Sequence, residues 1–156
     1  MGIEIERKFL VDSDKWQQAV KPAGTHFRQG YLLNNNHKTI RVRVAGEQGF
    51  ITFKGPTDGI SRAEFEYKIP VTDGNQLLDG FALSEIEKIR YRINFEGKLW
   101  EVDDFLGDNA GLMIAEIELE SEEEEFVKPD WVTKEVSDDE RYYNSYLSVH
   151  PFNRWV

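Results

Sequence analysis

The sequence predicts an α+β domain in which short β-strands alternate with turns and a few helices pack against the sheet. Charged and apolar side chains alternate with a period of two in segment after segment, beginning with residues 2–11, and this is the period of a β-strand. Turn-forming residues at 34–36 and 46–49 separate neighbouring segments. The chain of 156 residues is 40% hydrophobic, so we expect one domain, residues 1–156, with a substantial core.

Eight segments show this alternation, and each is expected to form a strand with one charged and one apolar face. They span residues 2–11, 26–33, 38–45, 50–54, 62–69, 86–95, 100–103 and 115–120. Helices are expected at 13–20, 72–80 and 137–146. Ser13 is in position to cap the first helix, and Ser137 with Glu140 forms a possible capping box for the third.

The charged faces carry formal charges almost throughout, and the sign changes from strand to strand. The segment 86–95 presents three cations on one face, whereas the segment 115–120 presents three carboxylates. Like charges on one strand face repel each other unless opposite charge lies nearby. If the strands close into a barrel, the charges lie either inside a water-filled tunnel or outside an apolar interior, and the alternation fits both. The apolar faces of the helices need a partner, which favours the tunnel with apolar residues outside, beneath the helices.

A charged tunnel of this kind has the chemistry to bind a metal ion together with a polyanion. Glu4 and Glu6 share a strand face with Lys8, and carboxylates without nearby histidine suit Mg²⁺ or Mn²⁺. Arginine forks grip phosphate oxygens at two points, and lysine acts as a point charge. The alternative is that cationic and anionic strands simply neutralise each other as structural ion pairs, and it stays open for the segment 62–68.

Composition narrows the classes of partner and location. The net charge of −10 argues against nucleic acid as a partner, because phosphate backbones require a basic surface. The absence of cysteine excludes disulfides and thiolate metal sites, and we expect a cytoplasmic setting. No apolar run approaches the roughly 20 residues that span a bilayer, and the charged N-terminal segment is unlike a secretory signal.

The order of the motifs along the chain resembles the CYTH superfamily, also called triphosphate tunnel metalloenzymes, in its short bacterial form. The motifs are Glu4-Ile-Glu6-Arg-Lys8-Phe, Gln29-Gly-Tyr31-Leu, Arg41-Val-Arg43, Thr52-Phe-Lys54, Arg62-Ala-Glu64-Phe-Glu66, Lys88-Ile-Arg90, Trp100-Glu101-Val-Asp103, Ala-Glu116-Ile-Glu118 and Arg141-Tyr-Tyr-Asn144. They cover nearly the whole chain, and their joint order is more specific than any one of them.

The resemblance implies an eight-stranded antiparallel β-barrel that forms a tunnel, with flanking helices. It implies Mg²⁺ or Mn²⁺ held by Glu4, Glu6 and Glu118, with Glu116 close by. It implies a triphosphate held by Lys8, Arg41, Arg43, Lys54, Arg62, Lys88 and Arg90. Lys8 is a candidate for proton handling, since nearby cations are expected to lower its pKa, with Tyr31 as its partner and Glu116 as a further catalytic candidate. Mere phosphate binding by Lys8 is the alternative.

The function that this resemblance favours is metal-dependent hydrolysis of inorganic triphosphate to pyrophosphate and phosphate. The alternatives are an adenylate cyclase of class IV type, a nucleoside or thiamine triphosphatase, and a non-catalytic binder of polyphosphate. The expected partner is a small-molecule triphosphate, with neither membrane nor nucleic acid involved. The sequence leaves the oligomeric state open between monomer and homodimer.

Overall fold

The computed structural model describes residues 2–155 and contains all eight predicted strands, most of them slightly longer than expected. The strands are β1 (Gly2–Val11), β2 (Thr25–Asn34), β3 (Thr39–Ala45), β4 (Gln48–Lys54), β5 (Ser61–Ile69), β6 (Ser84–Phe95), β7 (Lys98–Phe105) and β8 (Met113–Glu118), followed by a short β9 (Val132–Glu135) that the alternation did not predict. Within residues 2–155, no helix is long and apolar enough to cross a membrane.

The first eight strands close into an antiparallel barrel. Their order around the ring is β5-β4-β3-β2-β6-β7-β8-β1, and β1 pairs again with β5 to complete the circle. The first half of β1 pairs with β5, and its second half pairs with β8, so the strand bridges the two sides. β9 adds to β1 outside the ring. Closure leaves these eight strands without a free edge and gives the barrel an inside and an outside.

Two helices and one long segment cover the outside, as the apolar strand faces require. α1 (Ser13–Gln18) places Trp16 against Trp131, and the segment after β8 continues over Phe9 and Trp100. α2 (Val71–Phe81) packs Leu78 over β3. A Cβ on residue 30 of β2 would approach the Leu78 side chain to 2.6 Å, so glycine at this position allows α2 to lie close to the barrel.

The helix predicted at 137–146 is wrong. The chain forms a 3₁₀ turn at Glu140–Tyr142 and then a short helix, α3 (Asn144–Leu147). Asp139 precedes the turn, and its carboxylate accepts a hydrogen bond from the backbone N–H of Arg141. The 3₁₀ turn that this bond stabilises ends at Tyr143, whose backbone is extended. The possible capping box of Ser137 and Glu140 therefore does not start one continuous helix.

One end of the barrel interior is apolar, which corrects the expectation that apolar side chains lie only outside. Ile86 and Ile114 lie two residues from Lys88 and Glu116 on the inner faces of β6 and β8, and both are buried. Their cluster also contains Phe105 and Leu112, closes around the fully buried Leu147 of α3, and is flanked by Leu10, Tyr142, Phe152 and Trp155. This apolar cluster closes one end of the barrel next to the charged side chains.

Candidate active site

The inner faces of the strands enclose a charged cavity of about 300 Å³, called the barrel cavity below. Eleven of the twelve side chains predicted for the site line it: Glu4, Glu6, Lys8, Tyr31, Arg41, Arg43, Lys54, Arg62, Arg90, Glu116 and Glu118. The alternation places each of them on the inside, because side chains two residues apart share a strand face. The charged faces therefore look inward, as the tunnel hypothesis expects.

On one wall of the cavity, Lys54 and Arg62 hold the carboxylate of Glu4. Lys54 Nζ lies 3.0 Å from Glu4 Oε1 and 3.3 Å from Glu64 Oε2, and Arg62 Nε lies 3.4 Å from Glu4 Oε1. Burial alone would raise the pKa of Glu4, but Lys54, a hydrogen bond from Glu64 and Arg62 lower it to about 2. Burial and the neighbouring Glu4 raise the pKa of Glu64 to about 7. Glu4 therefore stays ionised at neutral pH, whereas Glu64 gains or loses its proton near neutral pH.

Lys8 lies between two carboxylates at the centre of the cavity. Its Nζ is 3.0 Å from Glu6 Oε1 and 2.8 Å from Glu116 Oε1. Burial works against the charge, but Glu116 and Glu6 outweigh it and hold the pKa of Lys8 above its ordinary value. The expectation that nearby cations lower the pKa of Lys8 is therefore wrong for this arrangement, in which the side chain is an ammonium donor.

Arg41 and Arg43 of β3 each have an N–H group without a hydrogen-bond acceptor in the described part of the chain. Each guanidinium lies 3.6 Å from a carboxylate oxygen of Glu66, and the buried Nε of each has no hydrogen-bond partner within residues 2–155. The guanidinium carbon of Arg43 sits 5.1 Å and 4.9 Å from the ring centres of Phe27 and Phe50. Burial and then the repulsion of Arg41 lower the pKa of Arg43 to about 10. Two adjacent buried cations with free N–H groups are suited to a polyanion.

Lys88 is the one predicted site residue that does not line the cavity. It lies deeper, fully buried, where its Nζ is 2.8 Å from Asp103 Oδ2 and donates to Asn144 Oδ1 at 3.1 Å. Burial lowers the pKa of Lys88 to about 8 although Asp103 opposes it. Asp103 also accepts two hydrogen bonds from Arg90, at 2.7 and 2.9 Å. Lys88 thus lies next to the carboxylate that holds Arg90, and its direct contact with triphosphate stays a prediction.

The carboxylates predicted to hold a metal share one region of the cavity. Glu6 of β1 and Glu118 of β8 are directly opposed in the strand register, and Glu4 follows two residues away on the same face. Burial raises the pKa of Glu6, and Glu116 adds to it; burial, Glu4 and Glu6 raise the pKa of Glu118. Such mutual repulsion is relieved by a cation, and the donors are all oxygen, which fits Mg²⁺ or Mn²⁺. The described residues nevertheless hold no preassembled cluster of three metal-ligating side chains, since Glu4 and Glu6 are each paired with lysine.

The family model of the CYTH domain matches residues 2–145. The chain belongs to the CYTH family. It is 48% identical over 156 residues to an inorganic triphosphatase of Acetivibrio thermocellus, with 99% of each sequence covered. It is 37% identical over 154 residues to an inorganic triphosphatase of Nitrosomonas europaea, over 94% of this chain and 97% of that protein.

Solved structures share the CYTH fold of this chain. The crystal structure of an inorganic triphosphatase aligns with a TM-score of 0.62 at 35% identity, covering 93% of this chain and 97% of that one. A conserved hypothetical protein from Pyrococcus furiosus aligns with a TM-score of 0.61 at 20% identity, over 77% of this chain and 80% of that one, and this likeness concerns the fold alone. The fold is therefore one that this CYTH protein shares with proteins of known structure.

Sequence reasoning missed four residues of the C-terminal segment that also line the cavity, of which Ser137 lies just after β9. Tyr143, Asn144 and Ser145 reach it from the turn before α3 and from α3 itself. Tyr143 Oη donates to the carbonyl of Ser137 at 3.0 Å, and this bond helps to hold the segment over the cavity. The motif Arg141-Tyr-Tyr-Asn144 supports the resemblance to CYTH proteins, but nothing in its spacing indicates that the segment reaches the barrel interior.

Proposed function

We propose that this chain hydrolyses inorganic triphosphate to pyrophosphate and phosphate within the barrel cavity, with Mg²⁺ or Mn²⁺ as cofactor. The observation that carries the proposal is one cavity of about 300 Å³ in which arginine and lysine side chains face a group of carboxylates. The inorganic triphosphatases at 48% and 37% identity support the choice of substrate. We also propose that this cysteine-free protein acts in the cytoplasm, as a monomer or a homodimer.

Arg41 and Arg43 are assigned to the phosphate chain, because residues 2–155 provide no acceptor for the Nε–H group of either side chain. Lys54, Arg62 and Arg90 extend this cationic surface around the cavity. An anion that carries several charges on a short chain can satisfy all of these donors at once. A triphosphate is compact enough to do so inside the barrel, and its binding would neutralise cations that repel each other in its absence.

Glu4, Glu6 and Glu118 are assigned to the divalent metal, since they offer oxygen donors on adjoining strands. When bound, the metal supplies neutralisation of the negative charge on the phosphate oxygens. Glu4 and Glu6 would hold the metal, and Lys54 and Lys8, which pair with them here, would donate to phosphate oxygens while keeping Glu64 and Glu116 as partners. The ion pairs keep the metal-binding and the phosphate-binding groups together in the cavity.

The reaction joins the oxygen of a water to the terminal phosphorus and breaks the bond from that phosphorus to the bridging oxygen. Positioning and charge neutralisation supply most of what this reaction needs. Glu116 is the carboxylate assigned to align the water, since Lys8 and Arg90 hold its pKa well below the ordinary value against the effect of burial, and it stays an acceptor. Lys8 donates a hydrogen bond to phosphate oxygen, and the water proton leaves with the phosphate product.

The test is phosphate release from triphosphate, ATP and thiamine triphosphate measured side by side, with and without Mg²⁺ or Mn²⁺. We expect fast metal-dependent release from triphosphate and far slower release from the other two. Equal rates on all three would contradict a dedicated inorganic triphosphatase. Cyclic AMP and pyrophosphate from ATP would instead identify a cyclase, and binding of triphosphate without turnover or metal dependence would identify a non-catalytic binder.

A further inference from the structure

A buried amide lies beside the barrel cavity and has no role in the assignments above. Gln29 is on the inner face of β2, is completely buried, and donates a hydrogen bond from Nε2 to Tyr31 Oη at 2.9 Å. A buried polar side chain is costly unless its groups are satisfied. A methionine would fill the same space without that cost, so the amide calls for a reason other than packing.

The bond fixes what the hydroxyl of Tyr31 can do. Tyr31 is only 2% exposed but lines the cavity. Its oxygen accepts the amide N–H, while its own proton finds no acceptor within residues 2–155. Burial, which outweighs Arg41, raises the pKa of Tyr31 and keeps that proton in place. The phenol is therefore a hydrogen-bond donor whose free direction is toward an occupant of the cavity.

Nε2 of Gln29 is the amide atom that lies next to Tyr31 Oη. Gln29 Oε1 and the Nε of Arg43, opposite in the register of β2 and β3, both lack a hydrogen-bond partner within residues 2–155, so they do not bond to each other. In this orientation the amide carbonyl does not accept the Tyr31 proton, which leaves that proton for an occupant of the cavity.

We propose that Gln29 is a positioning residue for triphosphate hydrolysis, holding the Tyr31 hydroxyl as a donor toward the triphosphate. This inference rests on the proposed function of the cavity. Gln29 itself does not contact the reacting atoms. It acts by donating to the acceptor position of the Tyr31 oxygen, which leaves the phenol only its donor function.

The test is a double-mutant cycle that pairs Gln29→Met with Tyr31→Phe, read as kcat and KM for triphosphate with Mg²⁺. We expect Tyr31→Phe and Gln29→Met each to lower kcat, Gln29→Met by roughly tenfold, the size of one oriented hydrogen bond to a charged group. In the Tyr31→Phe background, Gln29→Met should change kcat by less than about twofold, because the hydroxyl that it positions is gone. The same loss in both backgrounds would overturn the proposal.

Two further variants keep the test decisive. Gln29→Glu retains the shape but can only accept from Tyr31, so it should withdraw the hydroxyl from the triphosphate and lose at least as much kcat as Gln29→Met. Gln48→Met, the same change at the exposed start of β4, should leave kcat unchanged, and thermal melting checks that all variants fold. If the unmodified protein binds triphosphate without hydrolysing it, the proposed function fails, and the same cycle read as triphosphate affinity still decides the role of Gln29.

Discussion

Replacing Asp103 by asparagine should destabilise the protein strongly. Asp103 is completely buried and is the shared partner of Lys88 and Arg90, with three hydrogen bonds of 2.7 to 2.9 Å. Asparagine keeps the shape but removes the charge, which leaves two buried cations beside each other with only the more distant carboxylates of Glu101 and Glu116, at 3.4 and 3.7 Å from Arg90. Breaking a buried ion pair in this way costs about 3–5 kcal/mol, a large part of the 5–15 kcal/mol that is typical for a domain.

Asp104→Asn is the matched control for this change. Asp104 is the next residue, points away from the cavity, and has no ion pair within residues 2–155. Burial raises the pKa of Asp104, so its charge does not help the fold. Urea denaturation at pH 7 should show the loss of about 3 kcal/mol or more for Asp103→Asn and a change within about 0.5 kcal/mol for Asp104→Asn.

The pH dependence of the Asp103 effect has a definite sign. Burial alone would raise the pKa of Asp103, but Arg90 and Lys88 hold it below the usual 3.8. A carboxyl group with a lowered pKa stabilises the folded state above its unfolded-state pKa, and this contribution disappears as the pH falls through the folded-state value. The difference in the free energy of unfolding between the unmodified protein and Asp103→Asn should therefore have its full size at pH 7 and decrease only below pH 3.8. A loss below 1 kcal/mol at pH 7 would refute the reasoning.

Three further changes test the roles assigned within the cavity. Glu118→Gln should raise the Mg²⁺ concentration needed for half-maximal phosphate release by about tenfold or more, and an unchanged metal requirement would remove Glu118 from the metal site. Arg43→Met should weaken triphosphate binding at least tenfold in calorimetry, whereas Arg28→Met, which alters an arginine on the outer face of the same barrel, should leave it unchanged. Lys8→Met should lower kcat about a hundredfold or more, as expected for the loss of a donor to developing charge, and a variant within threefold of the unmodified kcat would contradict that role.

The residues that share a strand face could be predicted from the sequence, because the period of a strand is two. The apolar faces of the helices, which need a partner, indicated that the charged face lies inside. That is why Arg41 and Arg43 were expected inside together and are found there. The position of a side chain along the barrel axis does not follow from the alternation. Lys88 has the correct face but lies below the cavity. Its own strand contained the signal, since the apolar Ile86 occupies the same face two residues earlier.

The contribution of the C-terminal segment to the site could not be predicted, since it depends on contacts between residues far apart in sequence. Asn144 meets Lys88, which lies 56 residues away, and Leu147 fills the apolar end of the barrel. A helix of this length has almost no stability of its own, so local propensity carries little information about it. The hydrogen bond between Gln29 and Tyr31 is local, but the complete burial of Gln29 that makes it informative depends on the closed barrel.

The most direct measurement is a crystal structure of the protein with a non-hydrolysable imido analogue of triphosphate and Mn²⁺. The account predicts the phosphate chain inside the barrel, in contact with Arg41 and Arg43, and an anomalous Mn²⁺ peak next to the carboxylates of Glu4, Glu6 and Glu118. Phosphate and metal bound only on the outer surface, with the lysine–glutamate pairs of the cavity intact, would contradict it.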